Sequence, residues 1–138
     1  MKQLGLISLV SFVLVLALSS PAAASDQHIK MQLHSVGGSG VAGFVNLTQL
    51  PHDKGTRIVV VASGLHPGNQ YVSLYYDNHV CELEPYSPSD RVGGVYTGNG
   101  GGMGTTQGNA DDDLDEINSV SVRNASDFTL LACADIHP

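Results

Sequence analysis

Six histidines, two cysteines and one run of acids are the residues here with most chemistry to offer. Neutral imidazoles bind copper or zinc, thiols close disulfides or bind zinc, and carboxylate oxygens hold calcium. His28, His34, His52, His66, His79 and His137 are scattered, and no pair has a familiar ligand spacing. His79, two residues before Cys81, is the candidate ligand among them; its ordinary reading is a surface or hydrogen-bonding residue. Cleavage of a leader after Ser25 would leave Asp26-Gln27-His28, whose free amine and third-position imidazole can wrap Cu(II). The acid run "DDDLDE", Asp111 to Glu116, misses the spacing of a twelve-residue calcium loop and reads as a solvated face. The glycine-rich stretch before it lacks the Lys and the following helix of a phosphate-cradling loop.

The elements that must position these groups read as strands. Apolar residues alternate, and Gly, Asn, Asp and Pro punctuate at short intervals. "HIKMQLH" puts Ile29, Met31 and Leu33 on one face, and "VAGFVNLTQL" does the same for Val41, Val45 and Leu47. "RIVVVAS" follows, then a strand from Gln70 to Tyr76, then "RVGGVYT", "INSVSVR" and "DFTLLAC". Seven or eight short strands in a chain of this size predict an antiparallel Greek-key β-sandwich or barrel. Gly93 to Glu116 departs from that rhythm and reads as a mobile connection, available for contact with a partner. Tyr71, Tyr75, Tyr76, Tyr86 and Tyr96 stand out in a chain without Trp. Their apolar bodies and polar tips suit strand packing or an interface.

Lys2, the apolar run Leu4–Leu18 and small residues at Ala22 and Ala24 read as a secretory leader cleaved after Ala24 or Ser25. The expected organisation is a leader over 1–24 and one secreted or periplasmic domain over 25–138. Thirteen acidic residues give a formal charge of −7, one unit more negative without Lys2. Phosphates would be repelled, so nucleic acid and anionic membranes are not expected partners. An unidentified protein or surface is the expected partner, and no pattern specifies an oligomeric state. Export makes a Cys81–Cys133 disulfide the expectation, with two buried thiols as the alternative. "NLT" at Asn46 and "NAS" at Asn124 fit glycosylation acceptors in a eukaryotic host.

"GVAGFVNLTQ", then "GLHPGNQYVSLYYDN" with Cys81 just after, then "LLACADI" resemble the copper/zinc superoxide dismutase family in order and spacing. A second family of secreted sandwiches, the CHRD domains, shares the first strand and the Gly-Leu turn. The dismutase resemblance implies a Greek-key sandwich whose two disulfide cysteines are Cys81 and Cys133. It places copper-binding histidines at positions held here by Ser73 and Tyr75. Its zinc His and Asp fall at Arg91 and Gly94, and its superoxide-guiding Arg at Leu130. None of these can do the family's chemistry. The expectation is a divergent member with no catalytic residue and no cofactor, serving as a binding or structural module. The alternative is a copper/zinc dismutase that uses other ligands.

Overall fold

The computed structural model describes residues 27–138, so the expected leader over 1–24 and Asp26 of the Asp26-Gln27-His28 motif lie outside the described residues. Nine strands form: β1 (His28–Ser35), β2 (Ala42–Gln49), β3 (Thr56–Ser63), β4 (Gln70–Val72), β5 (Tyr75–Tyr76), β6 (Tyr96–Thr97), β7 (Gly104–Ala110), β8 (Ser119–Asn124) and β9 (Leu130–Asp135). All their pairings are antiparallel, and short 3-10 turns at Pro51–Asp53 and Ser87–Ser89 are the helical pieces among the described residues. The fold is all-β, as the alternation predicts.

Consecutive hairpins join β1, β2 and β3, and β7 adds to β3. The other half runs β9, β8, β4, β6, and the two halves are joined where His34 and Ser35 of β1 pair with Cys133 and Ala132 of β9. The passage from β3 to β4 crosses from one half to the other, which makes the sheet a nearly closed barrel. Its free edges meet through side chain and backbone. Thr106 of β7 donates its hydroxyl to the Val92 carbonyl at 2.9 Å, and the Leu65 amide donates to the Gly102 carbonyl at 3.0 Å.

The strand expected from Gln70 to Tyr76 runs in one register against β8. Tyr71 faces Asn124, Val72 faces Arg123, Tyr75 faces Val120 and Tyr76 faces Ser119. Its other edge pairs with two segments. Tyr71 pairs with Tyr96, whereas Leu74 pairs with Arg91, so the partner chain gains residues in between. Gly93 and Gly94 lie in that excess, where the strand bends.

The inward positions follow the predicted faces. Leu33, Val41, Val45 and Leu47 are buried with Ile58, Val60 and Ala62 from β3. Val120, Val122, Ala132, Ala134, Tyr71 and Tyr75 meet them from the other half. Removing this apolar area from water supplies the main drive to fold, at roughly 25 cal/mol per Å².

The segment Gly93–Glu116 differs from its expectation. It contains β6 and β7, and Leu114 lies buried in the main core. The reason is small size. The positions of β7 that turn inward are Gly104, Thr106, Gly108 and Ala110, so no apolar alternation advertises a strand. A Cβ on Gly108 would stand 2.4 Å from the Gly93 nitrogen, and one on Gly104 would stand 2.7 Å from Leu65 Cδ1. The barrel closes here by backbone approach at Gly108 and by side chains packed directly onto Gly104, and neither place has room for a Cβ.

Candidate functional site at the disulfide loop

Alternation sends the residues of the Gln70–Tyr76 strand to two different interiors. Tyr71 and Tyr75 enter the main core. Ser73 is buried on that same side, its hydroxyl 2.8 Å from the hydroxyl of Tyr96. Burial, partly offset by the Ser73 bond, raises the Tyr96 phenol to about 12. Leu74 and Tyr76 face outward into a second, smaller core with Cys81, packed by Phe128, Leu130 and Cys133.

Ser73 and Tyr75, the positions the dismutase resemblance gives to copper ligands, are therefore built into barrel packing. Arg91 lies alongside them in the backbone ladder, but its side chain points elsewhere. Its Nε donates to the Pro88 carbonyl at 3.1 Å, and its guanidinium lies 5.8 Å from the Phe128 ring centroid. Gly94 is exposed, with open space where a side chain would extend. Leu130, where the resemblance would put its guiding Arg, packs in the second core. His79 is exposed, its Nδ1 2.7 Å from Asp135 Oδ1. Among the described residues, no three His, Cys, Asp or Glu side chains are grouped to hold a metal ion. Asn46 sits within β2 with its Oδ1 buried, and Asn124 ends β8 beside a cleft of about 530 Å³.

What covers the second core is the loop from Asp77 to Arg91, and it is fastened in three ways. Cys81 is bonded to Cys133, with Cα atoms 6.0 Å apart. The chain folds around Asn78, whose Oδ1 accepts from the Val80 and Glu82 amides at 3.1 and 3.0 Å. Its Nδ2 donates to the Glu82 carbonyl and to Glu84 Oε1, both at 2.8 Å. The third fastening is a buried polar layer on β8. Ser119, Ser121 and Arg123 share a face and are all buried. Ser119 Oγ accepts from the Cys81 amide at 3.2 Å and donates to the Asn78 carbonyl. Ser121 Oγ meets the Tyr76 hydroxyl at 2.8 Å. Arg123 donates to the Tyr76 hydroxyl at 2.8 Å and to the carbonyls of Phe128 and Cys81.

A loop held this firmly still leaves Val80 65%, Leu83 46% and Tyr86 48% exposed. Acids surround them. The Tyr86 hydroxyl donates to Asp77 Oδ2 at 2.8 Å, and the Glu84 and Asp77 carboxylates facing it raise its pKa. Tyr75 reaches the loop from inside the barrel, and its backbone amide donates to the Asp90 carbonyl at 3.1 Å. Burial, then the charges of Asp90, Asp112, Asp111 and Asp77, push its phenol up to about 12.

Burial first, then the carboxylates of Asp77 and Glu84, raise Asp90 above its ordinary value, while the neighbouring Tyr75 hydroxyl works the other way. An acid raised by folding binds its proton more readily in the folded state. Its ionisation therefore costs stability above its folded pKa, and that cost vanishes below the unfolded value. Asp90→Asn, which keeps the side chain's size and removes its charge, is expected to melt higher than the parent at pH 7. The advantage disappears as pH falls below the ordinary carboxylate range, which paired thermal melts would show. A lower melting temperature at pH 7 would mean that the carboxylate's favourable contacts outweigh its burial and the repulsion.

The sequence pointed to Cys81, Cys133 and His79 in this region but not to Asn78, Asp90 or Arg123. Alternation in "SVSVR" was the available signal, since it sets Ser119, Ser121 and Arg123 on one face. No protein-family model matches the chain, and no curated protein does.

Proposed function

We propose that this chain is an exported, non-catalytic binding module on a copper/zinc superoxide dismutase-like frame. The disulfide-pinned loop Asp77–Arg91 is its contact surface. One observation carries the reading: Ser73 and Tyr75, at the positions where that resemblance requires paired imidazoles, are turned into the packed barrel. A hydroxyl bonded to Tyr96 and a phenol packed in the main core supply no imidazole nitrogen to copper. Fold likeness does not transfer activity when the site is absent. The disulfide supports export, since such bonds persist in oxidising compartments. The exposed apolar side chains on a rigid loop support contact, because the loop cannot bury them by collapsing.

The test is to purify the processed chain, reconstitute it with copper and zinc, and measure bound metal alongside superoxide consumption. Substoichiometric metal and no metal-dependent dismutation are expected. Stoichiometric copper with fast dismutation would overturn the reading and establish a dismutase with other ligands.

A further inference from the structure

The Asp77–Arg91 loop carries two features that rarely occur together on a surface with no partner. Val80, Leu83 and Tyr86 are exposed on it, and Asp77, Glu82 and Glu84 lie among them. Interface centres favour large apolar and aromatic side chains, and the surrounding charge selects the partner. Cations on the loop are few: Arg91 is held against Pro88 and Phe128, and His79 is bonded to Asp135.

The sign of that charge discriminates among occupants. A second copy docking through a two-fold axis would set the same acids against each other, at a cost in like-charge repulsion. An anionic lipid surface is repelled for the same reason. A segment bearing Lys or Arg around an apolar centre gains on both counts. The loop is also ready for docking without rearrangement. Its amides already bond to Asn78, and its tip is tied to β9 through Cys81, so little ordering entropy is lost on binding.

We propose that this loop is a docking surface for a cationic protein segment. Apolar side chains of the partner pack on Val80, Leu83 and Tyr86, and its lysines or arginines meet Asp77, Glu82 and Glu84. The proposal rests on the reading of the chain as a binding module and names the partner class of that same surface.

The experiment uses the processed, disulfide-bonded chain and three synthetic peptides of equal length: alternating Leu/Lys, alternating Leu/Glu, and all-Lys. Binding is followed by fluorescence anisotropy at physiological salt. The Leu/Lys peptide is expected to bind well above the other two. Val80→Ser combined with Leu83→Ser is expected to weaken it about tenfold or more, and Glu82→Lys comparably. These three side chains are exposed, so thermal melts of the variants should match the parent. Asp115→Lys changes net charge as much as Glu82→Lys but lies off the loop, and is expected to leave binding within about twofold.

Equal weakening by Asp115→Lys and Glu82→Lys would reduce the effect to general attraction and overturn the proposal. Unaltered binding by the Ser variants, equal binding of all-Lys, or no Leu/Lys binding would do the same. Self-association of the parent that Leu83→Ser abolishes would identify a second copy as the occupant instead. Each of these failures leaves the non-catalytic reading standing. That reading falls only to the metal and superoxide measurement.

Discussion

Arg123→Ala is expected to lower the stability of the oxidised chain by about 3 kcal/mol or more, and its melting temperature by on the order of 10 °C or more. Arg123 is 6% exposed, and among the described residues no carboxylate pairs with it. Its charge is balanced only by neutral oxygens: the Tyr76 hydroxyl and the carbonyls of Phe128 and Cys81. Two effects oppose each other on removal. Relief of a buried cation returns several kcal/mol of desolvation. Against that, three buried acceptors lose charge-assisted bonds of roughly 1.5–3 kcal/mol each, and a cavity opens. The second effect wins because the bonds join three separate segments, β5, the disulfide loop and the turn before β9, which cannot close up together. Arg123→Lys should fall between parent and Ala, since an ammonium lacks the planar fork that reaches all three. Tyr76→Phe removes the shared hydroxyl, so its effect and that of Arg123→Ala should sum to more than the double variant loses. A melting temperature for Arg123→Ala within about 3 °C of the parent would show that the buried charge costs as much as its bonds return.

Which parts of this architecture could be read from residues alone follows from what a local pattern encodes. Period-two alternation records which residues share a face, and that was enough for β1, β2, β3 and β8, whose inward positions are Leu, Val and Ile. It failed at β7 because closing the barrel there needs Gly104 and Gly108, residues whose value is the absence of a side chain. A glycine-rich strand and a glycine-rich loop look alike until the neighbouring backbone is in place. The disulfide was legible from two cysteines and an apolar N-terminal run that reads as a leader, and the structure forms it.

The site was half legible. The resemblance singles out Ser73 and Tyr75, but their direction depends on which face of the strand the barrel encloses. Arg123 shows the same limit more sharply. Its alternation partners Ser119 and Ser121 were visible, yet what covers them is a loop whose Cys81 carbonyl lies 42 residues away in sequence. A polar face in a strand says nothing by itself about whether water or another segment will lie on it. Non-local closure decides that, and here it converts a polar face into a buried, fully bonded layer.

Loss of the disulfide should be larger still and should act unevenly across the fold. Cys81 and Cys133 are 52 residues apart, and freeing a loop of that size raises the entropy of the unfolded chain enough to cost about 4 kcal/mol. The pair Cys81→Ser, Cys133→Ser is therefore expected to melt well below the parent, and to match the parent treated with reductant. Equal melting temperatures with and without reductant would refute it. The barrel keeps its main core, because the bond ties β9 to a loop outside that core, and β9 itself is held in the sheet by its pairing with β8 and β1. The loop fares worse. Without the covalent tie it rests on Arg123, Ser119 and the bonds around Asn78, and Cys81 itself turns through a left-handed backbone, φ +56°, that an L-residue adopts reluctantly. Hydrogen exchange should register this as faster opening at Val80 and Glu82, whose amides bond to Asn78, with little change at Val45 and Val60 relative to global unfolding. Because docking of a cationic segment depends on a pre-ordered loop, the reduced chain should bind the Leu/Lys peptide more weakly even at temperatures where its barrel is fully folded. Weak binding with an intact barrel separates the two roles of the bond: it stabilises the fold through the unfolded state, and it serves binding by holding the loop.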